Sequence, residues 1–475
     1  MNKVNHYIEN LLAQYSSRNV NAFIDTAAED MSSIYLSKVE LEGESEEVSA
    51  FDDNTGEGEE EEEELELSSI TSVIAEENRL VVLGNPGSGK TTVLIHELVR
   101  LCKSFLEGNS KVLPIFVSLK ELRADYTMAD FLDGILSSDE LANYVKIGNS
   151  VLFLDGLNEV VPDLYDSTIK NIKDIMTAFP LLRLVISSRK YGYSNQLGIA
   201  QYEIQAFDES DIQEYTVRRT GNIDLFNVLR QRKLLHSLAS TPLMLKMITD
   251  IWSHSQQLPA QFSSLYEEFI DYQLHKSLSI SSEEKDCLLD VYANLAFELR
   301  NIGYISDSVE HLEEIISSYV PAEKCEEVAD ELLKSGLLVI NSMGHGFDYV
   351  SFIHETFQEY FCSLFIAHSY MKDHQFKIDV TDSKWKETVK LSLEMVLPHL
   401  SKSETGILLD YLRHTFYDKS ANHLVDEHLE EFVAILSNTY AQSAIVTRYV
   451  EQYVSLNMSN YIGLNHSKGK VHLFG

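Results

Sequence analysis

Between residues 79 and 204, short runs of Val, Ile and Leu alternate with longer segments whose apolar residues recur every three or four positions. The runs are LVVL (80–83), VLPIFVSL (112–119), VLFLD (151–155), RLVISS (183–188) and QYEI (201–204). A half-exposed strand would alternate apolar with polar, so unbroken apolar strands separated by helices predict a parallel sheet covered on both faces. The pattern predicts an α/β domain built on five parallel strands.

Outside this region the period changes. Val4, Tyr7, Ile8, Leu11, Leu12 and Tyr15 fall at helical spacing, and a second short helix is expected before Tyr35. After Ile204 the strands stop: a helix capped by Asp208 and stopped at Gly221 leads into further helical segments up to Trp252. Residues 282–336 read as three helices, the last stopped by Gly336. Two β-rich runs follow around Gly344, His345 and Gly346, a hairpin signal, and helices followed by such a wing predict a winged-helix domain. From Phe376 the pattern is helical again, with Trp385, Val389, Leu393, Val396 and Leu400 on one face. Leu429, Phe432, Val433 and Leu436 share a second face, and Val446, Val450 and Val454 a third. The expected divisions are 1–37 (helical segment), 38–77 (acidic linker or insert), 78–206 (nucleotide-type domain), 207–258 (helical), 259–375 (winged helix) and 376–475 (small C-terminal helical domain).

Charge changes the picture in one place. The 475-residue chain carries a formal charge of −36, and residues 40–66 hold 15 Asp or Glu and no Lys or Arg. That stretch repels itself and lacks apolar periodicity, so it is expected to be disordered. Both it and the remainder of the chain are acidic, which speaks against default binding to nucleic acid or anionic membranes. Cys102, Cys287, Cys325 and Cys362 are scattered without metal-ligand spacing, so reduced thiols are expected. His423 and His428 are too irregularly spaced for a metal site. With no apolar run of membrane-spanning length and no leader pattern, a cytoplasmic location is expected.

The chemistry lies at the strand ends. After the first strand, Gly84, Asn85, Pro86, Gly87, Ser88, Gly89, Lys90, Thr91 and Thr92 match GxxxxGK(S/T), with a helix bearing Leu94, Leu98 and Leu101 on one face leading out. Glycines let successive N–H groups face phosphates, Lys90 reaches the β and γ oxygens, and Thr91 ligates Mg²⁺. About 65 residues beyond Lys90 a buried strand ends in Asp155, placed for Mg²⁺, and Glu159 stands four positions on to orient or activate water. A third strand delivers Ser188 and Arg189, the latter a candidate γ-phosphate contact.

Taken together, GNPGSGKTT, the FLDGLNE segment with Gly156 directly after Asp155, and SSR resemble the NACHT-type STAND P-loop NTPases. STPLMLKMI with Pro242 and FIHETFQEYF with His354 extend the resemblance over about residues 78–372. It implies a five-stranded ASCE-type P-loop domain, ATP or ADP with Mg²⁺, packing of Pro242 on adenine, and a contact from His354 to the β-phosphate of ADP that holds a closed state. Asn158 stands where many members carry Asp, leaving Glu159 as the only acid of that pair, so slow, regulatory hydrolysis is expected. The acidic insert is a second departure.

The chain shows no long repeat sensor and no recognisable effector, and so resembles the short bacterial antiphage NACHT proteins with a compact C-terminal domain. That implies a switch, off with ADP and on with ATP, that self-associates on an unidentified phage or host trigger. Two alternatives share the P-loop: a continuously cycling DNA-associated motor, which the acidity opposes, and a P-loop kinase, which would need a lid rich in arginines.

Overall fold

The computed structural model describes residues 3–16, 34–39, 68–122, 126–190, 193–259, 261–278, 281–304, 306–342, 348–380 and 382–419. The expected helix before Tyr35, most of the acidic stretch, the Gly344–Gly346 turn, the helical faces at 429–454 with the two histidines beside them, and the tail lie outside these residues.

The main sheet has strands β1 (Leu36–Lys38), β2 (Arg79–Leu83), β3 (Leu113–Ser118), β4 (Ser150–Asp155), β5 (Arg183–Ser188) and β6 (Ala200–Ile204), in spatial order β1-β6-β2-β5-β4-β3. The five strands read from the sequence are mutually parallel, and β1 adds an antiparallel edge on β6. Three residues are too few to show a period, which is why β1 left no trace in the pattern. Leu80, Val81, Val82, Val151 and Phe153 are wholly buried, as continuous apolar runs require.

Strand order matters more than strand number. With β5 between β2 and β4, and Leu83 level with Ser188, the C-terminal ends of the three strands that carry the motifs lie side by side. Ligands of open α/β sheets sit at that carboxyl edge, where the order reverses.

The N-terminal helix Lys3–Ser16 packs on the P-loop helix Lys90–Leu106 and buries Val4, Ile8 and Leu11, while Tyr15 lies 4.8 Å from Phe116 of β3, ring centre to ring centre. Leu36 and Ser68 exchange two backbone hydrogen bonds of 2.9 Å, so the chain rejoins the sheet edge where the acidic stretch ends.

The chain forms two compact units. One comprises Met1–Leu258, Asp271–Ile280 and Leu299–Phe357; the other comprises Pro259–Ile270, Ser281–Glu298 and Gln358–Gly475. The segment read as one winged-helix region is thus divided between them. In the first unit, helices Val309–Tyr319 and Cys325–Lys334 accompany a three-stranded antiparallel sheet, β7 (Ser306–Ser308), β8 (Leu338–Ser342) and β9 (Asp348–Phe352), in order β7-β9-β8. The hairpin was legible as β-rich runs, whereas the polar β7, Ser-Asp-Ser, carried no strand signal.

The second unit is held by stacked rings: Tyr266 on Tyr360 at 5.1 Å, Tyr292 on Phe361 at 4.8 Å and Phe297 on Phe365 at 4.2 Å. The helical face expected from Trp385 to Leu400 is a shorter helix, Lys386–Val396, with a 3₁₀ turn at each end. Pro398 lies in the second turn, where it cannot continue the helical hydrogen bonding. Among the described residues no helix is long and apolar enough to cross a membrane.

Because the N-terminal helix is packed against the nucleotide-type domain, Ile8→Ala should lower the unfolding free energy by about 2–5 kcal/mol. Urea unfolding followed by circular dichroism reads that loss.

Candidate functional site

The P-loop follows from the local sequence. Gly87 and Gly89 take positive φ, 75° and 95°, where a side chain would be strained, and Gly89 opens the helix at Lys90. A Cβ on Gly87 would meet Leu243 Cβ at 2.9 Å, and one on Gly84 would meet Ser88 Oγ at 2.5 Å. Leu243 N donates to Gly87 O at 3.2 Å, so the tip of the loop rests on the first turn of helix Pro242–Ser255. Pro242 is buried at that turn, next to the residue that touches the loop.

Lys90 Nζ donates to Gly84 O at 2.8 Å and Asn85 O at 2.9 Å, folding back on its own loop. Burial, aided by the charge of Arg189, lowers its pKa to about 8, against the raising effect of Glu159, Asp155 and Glu355. Ser88 Oγ is buried without a hydrogen-bond partner. A buried hydroxyl without a partner is costly, and here it points to a ligand in the cradle.

At the end of β4, Ser187 Oγ donates to Asp155 Oδ1 at 2.5 Å and accepts from Gly156 N at 2.7 Å. Gly156 has φ of 81°, and a Cβ there would approach Glu159 Cδ to 3.0 Å, so the small residue after Asp155 makes room for the Glu159 side chain. Asn158 Oδ1 accepts from Arg189 N at 3.0 Å, tying the turn after β4 to the end of β5. Asn158 is therefore a brace between strands in the place where an acid was expected. Glu159 is pushed up to about 7, first by burial and then by the carboxylate of Glu355, with Lys120 and Arg189 opposing.

His354 reaches the same edge. Its Nδ1 accepts from Thr356 N at 3.1 Å and lies 3.0 Å from Thr356 Oγ1, which leaves the proton on Nε2. Burial, then the charges of Lys90, Arg189 and Lys120, lower its pKa to about 3, so the ring is neutral and a donor. The next residue, Glu355, pairs with Arg189 at 2.5 Å and lies 3.8 Å from Arg300.

The structure thus gathers Lys90, Asp155, Glu159, Arg189 and His354 at one edge of the sheet, with Pro242 beside the P-loop. Thr91 follows Lys90 at the start of the helix, and Thr92 is buried in its first turn, while Asn85 is exposed at the mouth of the loop. Ser187, Lys120, Glu355 and Arg300 were not foreseen. Ser187 was discoverable, as the first serine of SSR on the strand beside Asp155. Glu355 lay within the FIHETFQEYF segment but its pairing left no signal, because Arg189 stands 166 positions and Arg300 55 positions away in the chain.

A family comparison bears on the part of this edge that carries Lys90, Asp155, Glu159 and Arg189: residues 78–222 match the model of the NACHT domain. The chain carries a NACHT domain. The NACHT fold is that of a P-loop NTPase with a mainly parallel sheet, and the match supports nucleotide-dependent ATPase chemistry for residues 78–222.

No curated protein matches the chain significantly. Among solved structures, it is similar to a STAND (signal transduction ATPase with numerous domains) protein with a tetratricopeptide repeat sensor from Pyrococcus horikoshii. Identity is 14% over 82% of this chain and 64% of that one, with a TM-score of 0.37. It is also similar to the Aeropyrum pernix Orc1 protein solved with DNA (14% identity, 61% and 88% of the two chains, TM-score 0.29). Cdc6p from Pyrobaculum aerophilum gives 15% identity, 60% and 87% coverage and a TM-score of 0.27. Likenesses this distant carry no functional inference.

The raised pKa of Glu159 fixes the sign of a pH effect in the protein without added nucleotide. Its folded value, about 7, lies above the ordinary 4.5, so the folded state binds the extra proton between those limits. Wild type should lose stability relative to Glu159→Gln as pH rises through that window, with the gap full above about 7 and absent below about 4.5. Thermal melts of both proteins across pH check this, and the subtraction removes the opposite-signed contribution of His354.

Proposed function

We propose that the protein is a nucleotide-held switch. ADP, retained between the P-loop, Pro242 and His354, keeps the closed form; exchange for ATP with Mg²⁺ releases the His354 segment and lets copies of the chain assemble. The observation that carries this reading is the seating of His354 and Glu355 on the P-loop edge, with Glu355 paired to Arg189 at 2.5 Å. A ligand moves such an equilibrium only by touching the two states differently, and His354 comes from outside the P-loop sheet.

The residues present suit the ligand. Lys90 and the N–H groups from Gly87 to Thr91 would hold the phosphates, and the partnerless hydroxyl of Ser88 faces a need that an anion meets. Thr91 and Asp155 would hold Mg²⁺, a set of one hydroxyl and one carboxylate suited to an ion bound largely by phosphates and water. The ion would supply charge neutralisation on the transferred phosphoryl group. Glu159 would orient the attacking water, and burial together with the Glu355 carboxylate favours its protonated form, which supports slow, regulatory hydrolysis.

Within this reading, 78–206 binds nucleotide, 207–258 and 259–375 are the helical and winged-helix regulatory parts, and 376–475 is the C-terminal domain. The resemblance to short bacterial antiphage proteins makes defence triggered by phage its setting, in the cytoplasm. The net charge of −36 disfavours a DNA motor.

Protein purified without added nucleotide, then denatured and analysed by chromatography, should release stoichiometric ADP. Lys90→Ala removes charge-assisted hydrogen bonds worth about 1.5–3 kcal/mol and should weaken binding roughly 10- to 100-fold. His354→Ala should retain less ADP and self-associate more, read by light scattering. An empty site with rapid, DNA-stimulated turnover would overturn the switch in favour of the motor.

A further inference from the structure

Arg189 emerges from the end of β5 and is the cation read above as facing a terminal phosphate. Its guanidinium instead meets one oxygen of Glu355 at 2.5 Å, while the other oxygen lies 3.8 Å from Arg300, in the last turn of helix Ser282–Ile302. The three side chains are 20%, 17% and 13% exposed, so this carboxylate is shared between two largely buried arginines. Glu355 also lies within electrostatic reach of Glu159 and Lys90.

We propose that Glu355 is a positioning residue that occupies Arg189 in place of a terminal phosphate, and that it passes to Arg300 when a nucleoside triphosphate claims Arg189. The proposal rests on the nucleotide-switch reading and names the device that separates its two states.

The physical argument is competition between like anions. Carboxylate and phosphate oxygens seek the same forked donor geometry of a guanidinium, and one face of Arg189 cannot serve both. A diphosphate lacks the group that would contend for Arg189 and leaves the pair intact. A triphosphate must displace Glu355, and its added negative charge repels the carboxylate as well. Glu355 therefore acts on one ligand and spares the other, which is what a population shift requires. Arg300 completes the device: a carboxylate driven from one partner inside the protein is costly unless a second stands close.

The test uses the full-length protein, stripped of nucleotide, with Mg²⁺ and two fluorescent probes: labelled ADP and a labelled non-hydrolysable ATP analogue. Glu355→Gln should tighten the analogue roughly tenfold, the scale of one lost competing interaction, and leave ADP within about twofold. Arg300→Gln should weaken the analogue and spare ADP. In an Arg189→Gln background, Glu355→Gln should lose its selective effect. Equal shifts for both probes, no shift for either, or a selective effect that persists without Arg189, would each overturn the proposal while the switch reading stands. Should Glu355→Gln fail to fold in a thermal melt, Arg300→Gln decides alone, an unchanged analogue affinity counting against the proposal. A wild type that binds neither probe would overturn both the switch and this device.

Discussion

The structure depends on how ionisable groups are kept at the edge of an apolar sheet. Lys90, Arg189 and Lys120 face Asp155, Glu159 and Glu355 there, within electrostatic reach of one another. Removing any one charge from water is expensive, so each must find a partner or change its protonation. Lys90 folds onto its own loop carbonyls, Asp155 takes the hydroxyl of Ser187, and Arg189 takes Glu355. Glu159 and His354 respond through the proton, the acid holding it and the base declining it. The arrangement at this edge is the joint solution of these separate demands.

That solution ties the fold to the site. Strand order sets β5 between β2 and β4, so Ser187 can reach Asp155 and Arg189 can reach the turn after β4. The long-range pairs then add what the sheet lacks, since Glu355 and Arg300 come from segments far downstream. A shared carboxylate between two arginines is a poor source of stability by itself, because desolvation offsets much of the attraction. Its value is in specifying which group lies against which.

Legibility in the sequence followed the range of the forces involved. Periodicity is local, so the five parallel strands, the P-loop helix and the helix from Asp208 to Gly221 could be read directly, though the capping box that Asp208 forms with Asp211 was not read. The P-loop and the strand ending in Asp155 were equally local. Short or polar strands were not: β1 and β7 exist because neighbouring strands offer hydrogen bonds, and Ser-Asp-Ser has no apolar pattern to announce it. Asn158 was legible only as a departure, since its bond to the Arg189 backbone needs the register of β4 and β5. Glu355 lay beside a residue singled out from the sequence, yet charge pairing across 166 positions leaves no periodic signature.

The contact between Gly87 and Leu243 has a thermodynamic consequence of its own. Many glycine-rich loops lose conformational freedom when a ligand arrives, and that loss subtracts from affinity. Here Leu243 N holds Gly87 O, and Lys90 holds two further carbonyls of the same turn. Part of that ordering is therefore supplied by the fold itself, and a ligand would have correspondingly less of it to supply.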